Sequence, residues 1–503
     1  MRLTRQAQDP ARAIPDPAGP RSAGASSNSH SSPSRAFFPE PPGASGLLES
    51  ARRLLAVTVE VDAVLLPDLV RAGGHLDRQL WSRSGLTILG TGVALRLALP
   101  AGWAEQPHTQ LLQEALSAVR TEGHETGVPG QRPLAMGALP YDPSRPGHLT
   151  IPRLVVTSGH GHAWATLTMP HHGREPRGGW QRIVEEELAA LANGQSSGGL
   201  PDRFELAAGI PHDDWKRLVA RAVSEMERGS MSKVVLARQV DVVANRPFVL
   251  PETLARLAQL YPSCAVFHVE GFLGASPEVL LRRTGHEIES HPLAGTVARS
   301  GDPATDEALV AALMSSSKDR REHELVVGQI VGKLRPRCAW LDVPPEPSVM
   351  PLRNVSHLGT HIRGTLREIA VDGTVEDTGQ VANGKAGGDD ARPLPPGRDL
   401  PTSLELAALL QPTPAVGGLP VDAALRWQRD NEGFDRGCYA GPVGWVDSSG
   451  DGEWALGLRS AHVSGNRATL YAGNGIVAGS DPDAELAETQ LKLQALLAAL
   501  VRP

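Results

Sequence analysis

Residues 467–492, RATLYAGNGIVAGSDPDAELAETQLK, gather two acids and an amine, Glu485, Glu488 and Lys492, at spacings that could do chemistry. The stretch reads as a strand, a glycine-rich turn and a helix. Ser480 or Asp481 can cap the helix, Pro482 suits its first position, and Leu486, Leu493, Leu497 and Leu500 recur at helical spacing. At 100° per residue the two glutamates and the lysine span roughly 60° of arc. That arc borders the apolar stripe, so the charges meet the protein's interior edge, where they are costly unless they bind something. The alternative is a solvated face carrying a Glu488–Lys492 pair one turn apart. A second acid-bearing helix, SKDRREHELVVGQIV, sets Asp319 and Glu322 on one face, with Leu325, Val326 and Ile330 for burial. Two helices that each offer carboxylates suit an oxygen-liganded hard cation such as Mg2+. That ion takes one or two carboxylates and completes its shell with water and an anionic substrate.

Of the 49 basic residues, six are lysines (216, 233, 318, 333, 385 and 492) and the rest are arginines. A lysine kept in such a chain can be one that is needed as an amine, because an ammonium can lose its proton and a guanidinium effectively cannot. Other patterns are weaker. AGNGIVAG follows a strand and precedes a helix, as a dinucleotide loop would, but Asp481, Asp483 and Glu485 would face the pyrophosphate with like charge. HELVV lacks the second histidine of a zinc helix, since position 327 is valine. His160, His162, His171 and His172 have no cysteine nearby and read as surface or structural. The serine within Gly271–Pro277 lacks the spacing of a nucleophile elbow.

The elements that must position these residues alternate in kind without a regular βαβ repeat. LLAVTVEV, LTILGTGVALRLALP and HLTIPRLVVTSGHGHAWATLTM alternate apolar and polar residues, as half-buried strands do. Helices are expected over Trp180–Leu191, Pro211–Arg228, Thr305–Ser315, Lys318–Leu334 and Leu404–Leu410. Strands are expected at Lys233–Val243, Cys264–Val269, Phe272–Gly274, Glu278–Arg283, Val355–Leu366, Cys438–Val446 and Glu453–Val463. This pattern predicts an α+β fold with long, mostly antiparallel strands. Residues 1–46, rich in Pro, Ser and Arg, read as a disordered tail, and their eight prolines argue against an amphipathic transit helix. Residues 372–400, rich in Gly, Asp and Pro, read as an inserted surface loop. The remaining 47–503 is expected to form a single catalytic domain, 47–200 being its less patterned part and 211–503 the part that bears the motifs.

Bulk properties narrow the classes. A net charge of −7 with no basic stripe argues against a nucleic-acid partner. No uncharged apolar run reaches a membrane-spanning length. Three widely spaced cysteines fit a reducing compartment, so a cytoplasmic location is expected.

Nine motifs in order are SKVVLARQV, FLGASPEVLLRR, HPLAGTVAR, SKDRREHELV, NVSHLGTHIRG, LLQPTPAVGGLP, FDRGCYAGPVGWVD, LGLRSAHV and LYAGNGIVAGSDPDAELAETQLK. Together they resemble the chorismate-utilising enzymes, and above all the isochorismate synthases of the siderophore and menaquinone type. The resemblance runs from about Leu47 to the C terminus, is dense from 211 onward, and is absent from 1–46 and 372–400. One departure is Gln411, where relatives commonly carry histidine before the PTPAV run.

The resemblance implies the anthranilate/aminodeoxychorismate synthase fold, with helices packed outside large sheets. It also implies a reaction: water adds at C2 of chorismate while the C4 hydroxyl leaves, which needs a general base and a general acid on opposite ring faces. By similarity Lys233 is the base and Glu278 the acid. Glu322 and Glu488 look like the Mg2+ ligands, with Glu485 and Asp319 acting through water. The metal would hold the ring carboxylate together with Lys492. Arg459 and the backbone amides of Gly473 and Gly475 look like the clamp on the enolpyruvyl carboxylate. Gly295, His357 and Ala415 fall in motifs that line the ring pocket. Lys233 separates this chain from ammonia-using anthranilate synthases, which carry glutamine there. Aminodeoxychorismate synthases keep the lysine as a nucleophile, and salicylate synthases share nearly all these residues and add loss of pyruvate. No obligatory protein partner is expected.

Overall fold

The computed structural model of the chain describes residues 44–501, apart from 63–68, 73, 76, 124–128, 160, 172–178, 193–198, 368 and 371–397. Most of the expected tail and inserted loop, with His160 and His172, therefore lies outside the described residues. The tail is expected to end at 46. Helix Ala44–Arg52 begins before it and buries Leu47 and Ala51.

Among the described residues two large sheets dominate, one of thirteen strands and one of nine, accompanied by a three-stranded sheet. Pairing is antiparallel, except that Leu54–Glu60 runs parallel to Arg120–Gly123. The thirteen-stranded sheet holds Lys233–Ala244 and Arg467–Val477 side by side, with Lys233 opposite Val477 and Ala237 opposite Gly473. It continues through Ser460–Ser464, Phe272–Ser276 and Ala265–Val269 to strands from the N-terminal third. The nine-stranded sheet places Val279–Thr284 beside Gly452–Leu456. The three-stranded sheet is built from Leu293–Ala298, Val355–Gly359 and Ser348–Pro351.

Sequence alternation cannot show where a chain passes from one sheet to another, and one expected strand is corrected on that point. The run expected as one strand over Glu453–Val463 is two. Gly452–Leu456 belongs to the nine-stranded sheet and Ser460–Ser464 to the thirteen-stranded one, and the chain crosses at 457–459. Arg459 takes the crossing with φ +49, a conformation that costs a non-glycine residue about 1 kcal/mol or more. The 272–284 stretch makes the same passage at Pro277 and Glu278. The crossings lie side by side, with the Ala275 N–H donating to Arg459 O at 3.2 Å and the Leu456 N–H to Glu278 O at 3.1 Å. The strand expected from Cys438 begins at Pro442, because 438–441 close a turn in which Ala440 has φ +64.

The helices fall as expected to within a residue or two. Helix Ser317–Leu334 is capped by Ser316, whose side chain accepts from the Asp319 N–H. Helix Pro482–Leu500 is capped by Asp481, with Pro482 in its first turn. It buries Leu486, Leu493, Leu496, Ala499 and Leu500, so Leu496 takes the place in the stripe expected of Leu497. Helices Gln106–Ser117, Leu250–Leu260 and Val421–Asn431 were not anticipated. The last buries only Ala424 and Gln428 and so presents no apolar stripe to read.

Candidate active site

A pocket opens where the sheets meet, with about 880 Å³ of empty space that is partly open to solvent. Apart from Lys233, every residue to which the resemblance gives a site role lines it. The paired crossings supply Glu278 and Arg459, the three-stranded sheet supplies Gly295 and His357, and the loop before Gly418 supplies Ala415. Strand Arg467–Val477 supplies Gly473 and Gly475. Helix Ser317–Leu334 supplies Asp319 and Glu322, and helix Pro482–Leu500 supplies Glu485, Glu488 and Lys492.

The charges expected at an interior edge are there. The Glu485 side chain is 4% exposed, Lys492 15% and Glu488 29%, so the alternative of a solvated face does not hold. The carboxylates meet lysines. Glu322 lies 3.0 Å from Lys233 Nζ, Glu488 2.6 Å from Lys492 Nζ, and Glu485 3.3 Å from Lys318 Nζ. Burial first, then the charges of Glu322 and Glu488, push the Asp319 carboxyl above its ordinary pKa, although Ser316 and Lys318 oppose them. These carboxylates are therefore close enough to repel one another, a tension that a divalent cation would relieve. Among the described residues no three His, Cys, Asp or Glu side chains converge to hold a metal by themselves. Facing carboxylates on two helices nevertheless fit an ion that draws the rest of its shell from water and an anionic ligand.

Lys233 is fully buried and lies behind the pocket wall, its Nζ beside Glu322 but without a hydrogen-bonding angle to any acceptor. Gly475 is what lets the pair form. A Cβ there would overlap the Glu322 carboxylate and come within 2.9 Å of Lys233 Cε. Glu278 is 3% exposed, and burial pushes its carboxyl up to about 8 against the opposing pull of the Leu293 N–H, Lys233 and Lys492. Near neutral pH it holds a proton and can give it away.

Arg459 is held by His357. The guanidinium Nη2 lies 3.1 Å from His357 Nε2, while His357 Nδ1 faces Thr296 Oγ1 at 3.1 Å and Gly295 O at 3.3 Å. A guanidinium only donates, so Nε2 accepts and the ring proton sits on Nδ1, directed at the Gly295 carbonyl. Burial, then the charges of Arg459 and Lys492, hold the imidazole well below its usual pKa, so it stays neutral. Gly295 has φ +77, and a Cβ there would press on Asp319 Cβ at 3.1 Å.

The backbone of Gly473 and Gly475 is aimed by strand alternation. Their partners Ala237 and Val235 turn their N–H groups the other way, to Glu432 Oε1 at 2.8 Å and Gly417 O at 2.8 Å. Both pairs are therefore of the non-hydrogen-bonded kind, and the glycine N–H and C=O groups point to the opposite edge of their strand. Ser460–Ser464 covers that edge only as far as Leu470. The Gly473 carbonyl there accepts from Lys492 Nζ at 2.9 Å.

A profile of the chorismate binding enzyme family matches residues 47–375 and 399–501. The chain belongs to the chorismate-binding enzyme family. Its unmatched interval lies within the loop read as an insertion. The chain is 32% identical over 401 residues to the isochorismate synthase DhbC of Bacillus subtilis, covering 77% of this chain and 84% of that one. Its fold is similar to that of MenF, the menaquinone-specific isochorismate synthase of Escherichia coli. The TM-score is 0.69 at 26% identity, covering 91% of this chain and 99% of the other. Component I of anthranilate synthase from Streptococcus pneumoniae shares the fold, with a TM-score of 0.62 at 18% identity over 82% of this chain and 92% of the other.

This chorismate-binding enzyme also brings residues to the pocket that sequence reasoning passed over: Thr296, Lys318, Arg436, Tyr439 and Tyr471. Tyr439 and Tyr471 stack with ring centres 5.2 Å apart. Arg436, ion-paired to Glu432, donates to Val235 O at 2.7 Å and Val416 O at 2.9 Å, fixing the wall beside Ala415. Lys318 carried a signal, being one of six lysines and next to Asp319. Gln411 does not line the pocket. It is buried and its Nε2 donates to Ala440 O at 3.0 Å, so the side chain serves the loop. Among the described residues no helix is long and apolar enough to cross a membrane.

Proposed function

We propose that this chorismate-binding enzyme is an isochorismate synthase that works with Mg2+ and without a partner subunit. The observation that carries the reading is the buried carboxyl of Glu278, its pKa pushed up to about 8 by burial, in a pocket that Arg459 and Lys492 also line. The relatives named for this activity support it.

In this reading Arg459, oriented by neutral His357, grips the enolpyruvyl carboxylate through its two-pronged fork, and the amides of Gly473 and Gly475 add donors to it. Lys492 takes the ring carboxylate. Glu322 and Glu488 would hold Mg2+, with Asp319 acting through water and Glu485 engaged instead by Lys318 and Asn474, and the ion would supply positive charge against that same carboxylate. Gly295, His357 and Ala415 shape the space for the ring. Lys233 Nζ accepts a proton from the water that forms the new bond at C2, the ring double bonds shift, and the C4–O bond breaks. Glu278 gives its proton to the departing hydroxyl, which leaves as water. The Lys233–Glu322 pair must part before Nζ can do this, so the base is masked in the resting pocket.

The test is to incubate the purified chain with chorismate and Mg2+ in the absence of ammonia. Isochorismate as the only product supports the reading. Salicylate with pyruvate marks a salicylate synthase, and turnover only after ammonia is added marks an amino-transferring component.

A further inference from the structure

The reaction just described leaves one pocket charge without a task. Lys318 stands in the first turn of helix Ser317–Leu334, its side chain half exposed, and reaches Glu485 on helix Pro482–Leu500 at 3.3 Å. These helices pack chiefly on different elements. The first lies on strand Leu293–Ala298 and helix Pro303–Ser315, the second on strand Arg467–Val477 and helix His212–Glu227. The ion pair therefore crosses the pocket.

Glu485 also differs from the other carboxylates in how it is held. Its Oε1 faces Lys318, its Oε2 accepts from Asn474 Nδ2 at 2.9 Å, and the same Nδ2 donates to the Glu485 carbonyl at 2.7 Å. Both carboxylate oxygens are thus occupied by groups of this chain, in a side chain only 4% exposed. Glu322 at 13% and Glu488 at 29% exposure are the more open. A buried carboxylate needs a counter-charge, and a tethered ammonium provides one without recruiting an ion from solution.

We propose that Lys318 is a fixed counter-cation of this pocket: by neutralising Glu485 it leaves Glu322 and Glu488 to take a single divalent ion and denies a second one its carboxylate. The inference rests on the metal reading above, and the experiment separates the two. Mn2+ is titrated into the full chain in the presence of chorismate, whose carboxylate can complete the shell, and bound ion is counted by electron paramagnetic resonance. The wild type should bind one Mn2+. Lys318→Met should bind a second ion, or bind the first about tenfold more tightly, the order expected when one unit charge is removed beside a divalent ion in a solvated pocket. Lys318→Arg should behave as the wild type. The double variant Lys318→Met/Glu485→Gln, in which both charges are gone, should return to one ion at near wild-type affinity.

Unchanged number and affinity in Lys318→Met would overturn the proposal. So would loss of the ion in the double variant, because Glu485 would then be a ligand. A wild type that binds no Mn2+ at millimolar concentration would instead defeat the metal reading itself.

Discussion

Replacing Glu278 by glutamine should abolish most of the activity and at the same time stabilise the fold, increasingly so as pH rises. The carboxyl is 3% exposed and its pKa stands at about 8, against 4.5 for an exposed glutamate. Below pH 4.5 folded and unfolded chains both hold the proton. Between 4.5 and 8 the unfolded chain has lost it while the folded chain keeps it, so stability falls by about 1.4 kcal/mol per pH unit. Above 8 both are ionised and the penalty is constant. Glutamine resembles the protonated acid in shape and cannot ionise, so the variant escapes this loss. From pH 5.5 to 8 its advantage should grow by roughly 3 kcal/mol, or about 3 °C in melting temperature for a chain of this size. The assay is a pair of thermal melts, wild type and variant, at pH 5.5, 7 and 8. An advantage that stays flat across that range would refute the claim that Glu278 is a buried, protonated acid. The turnover number should fall about 10²- to 10⁴-fold, the usual worth of a positioned acid.

Three further substitutions probe the other parts of the site. Lys233→Ala should lower the turnover number by a similar 10²- to 10⁴-fold with its KM for chorismate little changed, as steady-state kinetics will show; near wild-type turnover would remove Lys233 as the base. Gly475→Ala should push the Glu322 carboxylate and Lys233 out of place and cost at least about tenfold in activity, with weaker Mg2+ dependence in a metal titration. Arg459→Lys keeps the charge and loses the fork, so KM for chorismate should rise about tenfold or more, while an unchanged KM would mean that Arg459 does not hold a carboxylate.

What could be read in the sequence was local or carried by motif. Asp481 and Pro482 announced the C-terminal helix, its period placed Glu485, Glu488 and Lys492 at the pocket edge, and Asp319 and Glu322 shared a helical face as expected. The sheet change at 457–459 could not be read, because nothing in the run 453–463 marks where the chain leaves one sheet for another, and Arg459 is presented at that hidden break. The pairing of Lys318 with Glu485 and the masking of Lys233 by Glu322 join positions 167 and 89 residues apart, beyond any periodicity. Helix Val421–Asn431 escaped because its buried members are an alanine and a glutamine. That Gln428 ties Val235 O and Gly417 O together at 2.7 and 2.8 Å, holding the wall from behind.

The central claim is that a water molecule, deprotonated at Lys233, becomes the C2 hydroxyl while the old C4 hydroxyl departs. Running the reaction on chorismate and Mg2+ in H₂¹⁸O and weighing the product tests it most directly. One ¹⁸O per isochorismate, located at C2, is the predicted result; isochorismate free of ¹⁸O would mean that the original hydroxyl migrates, and would contradict the account.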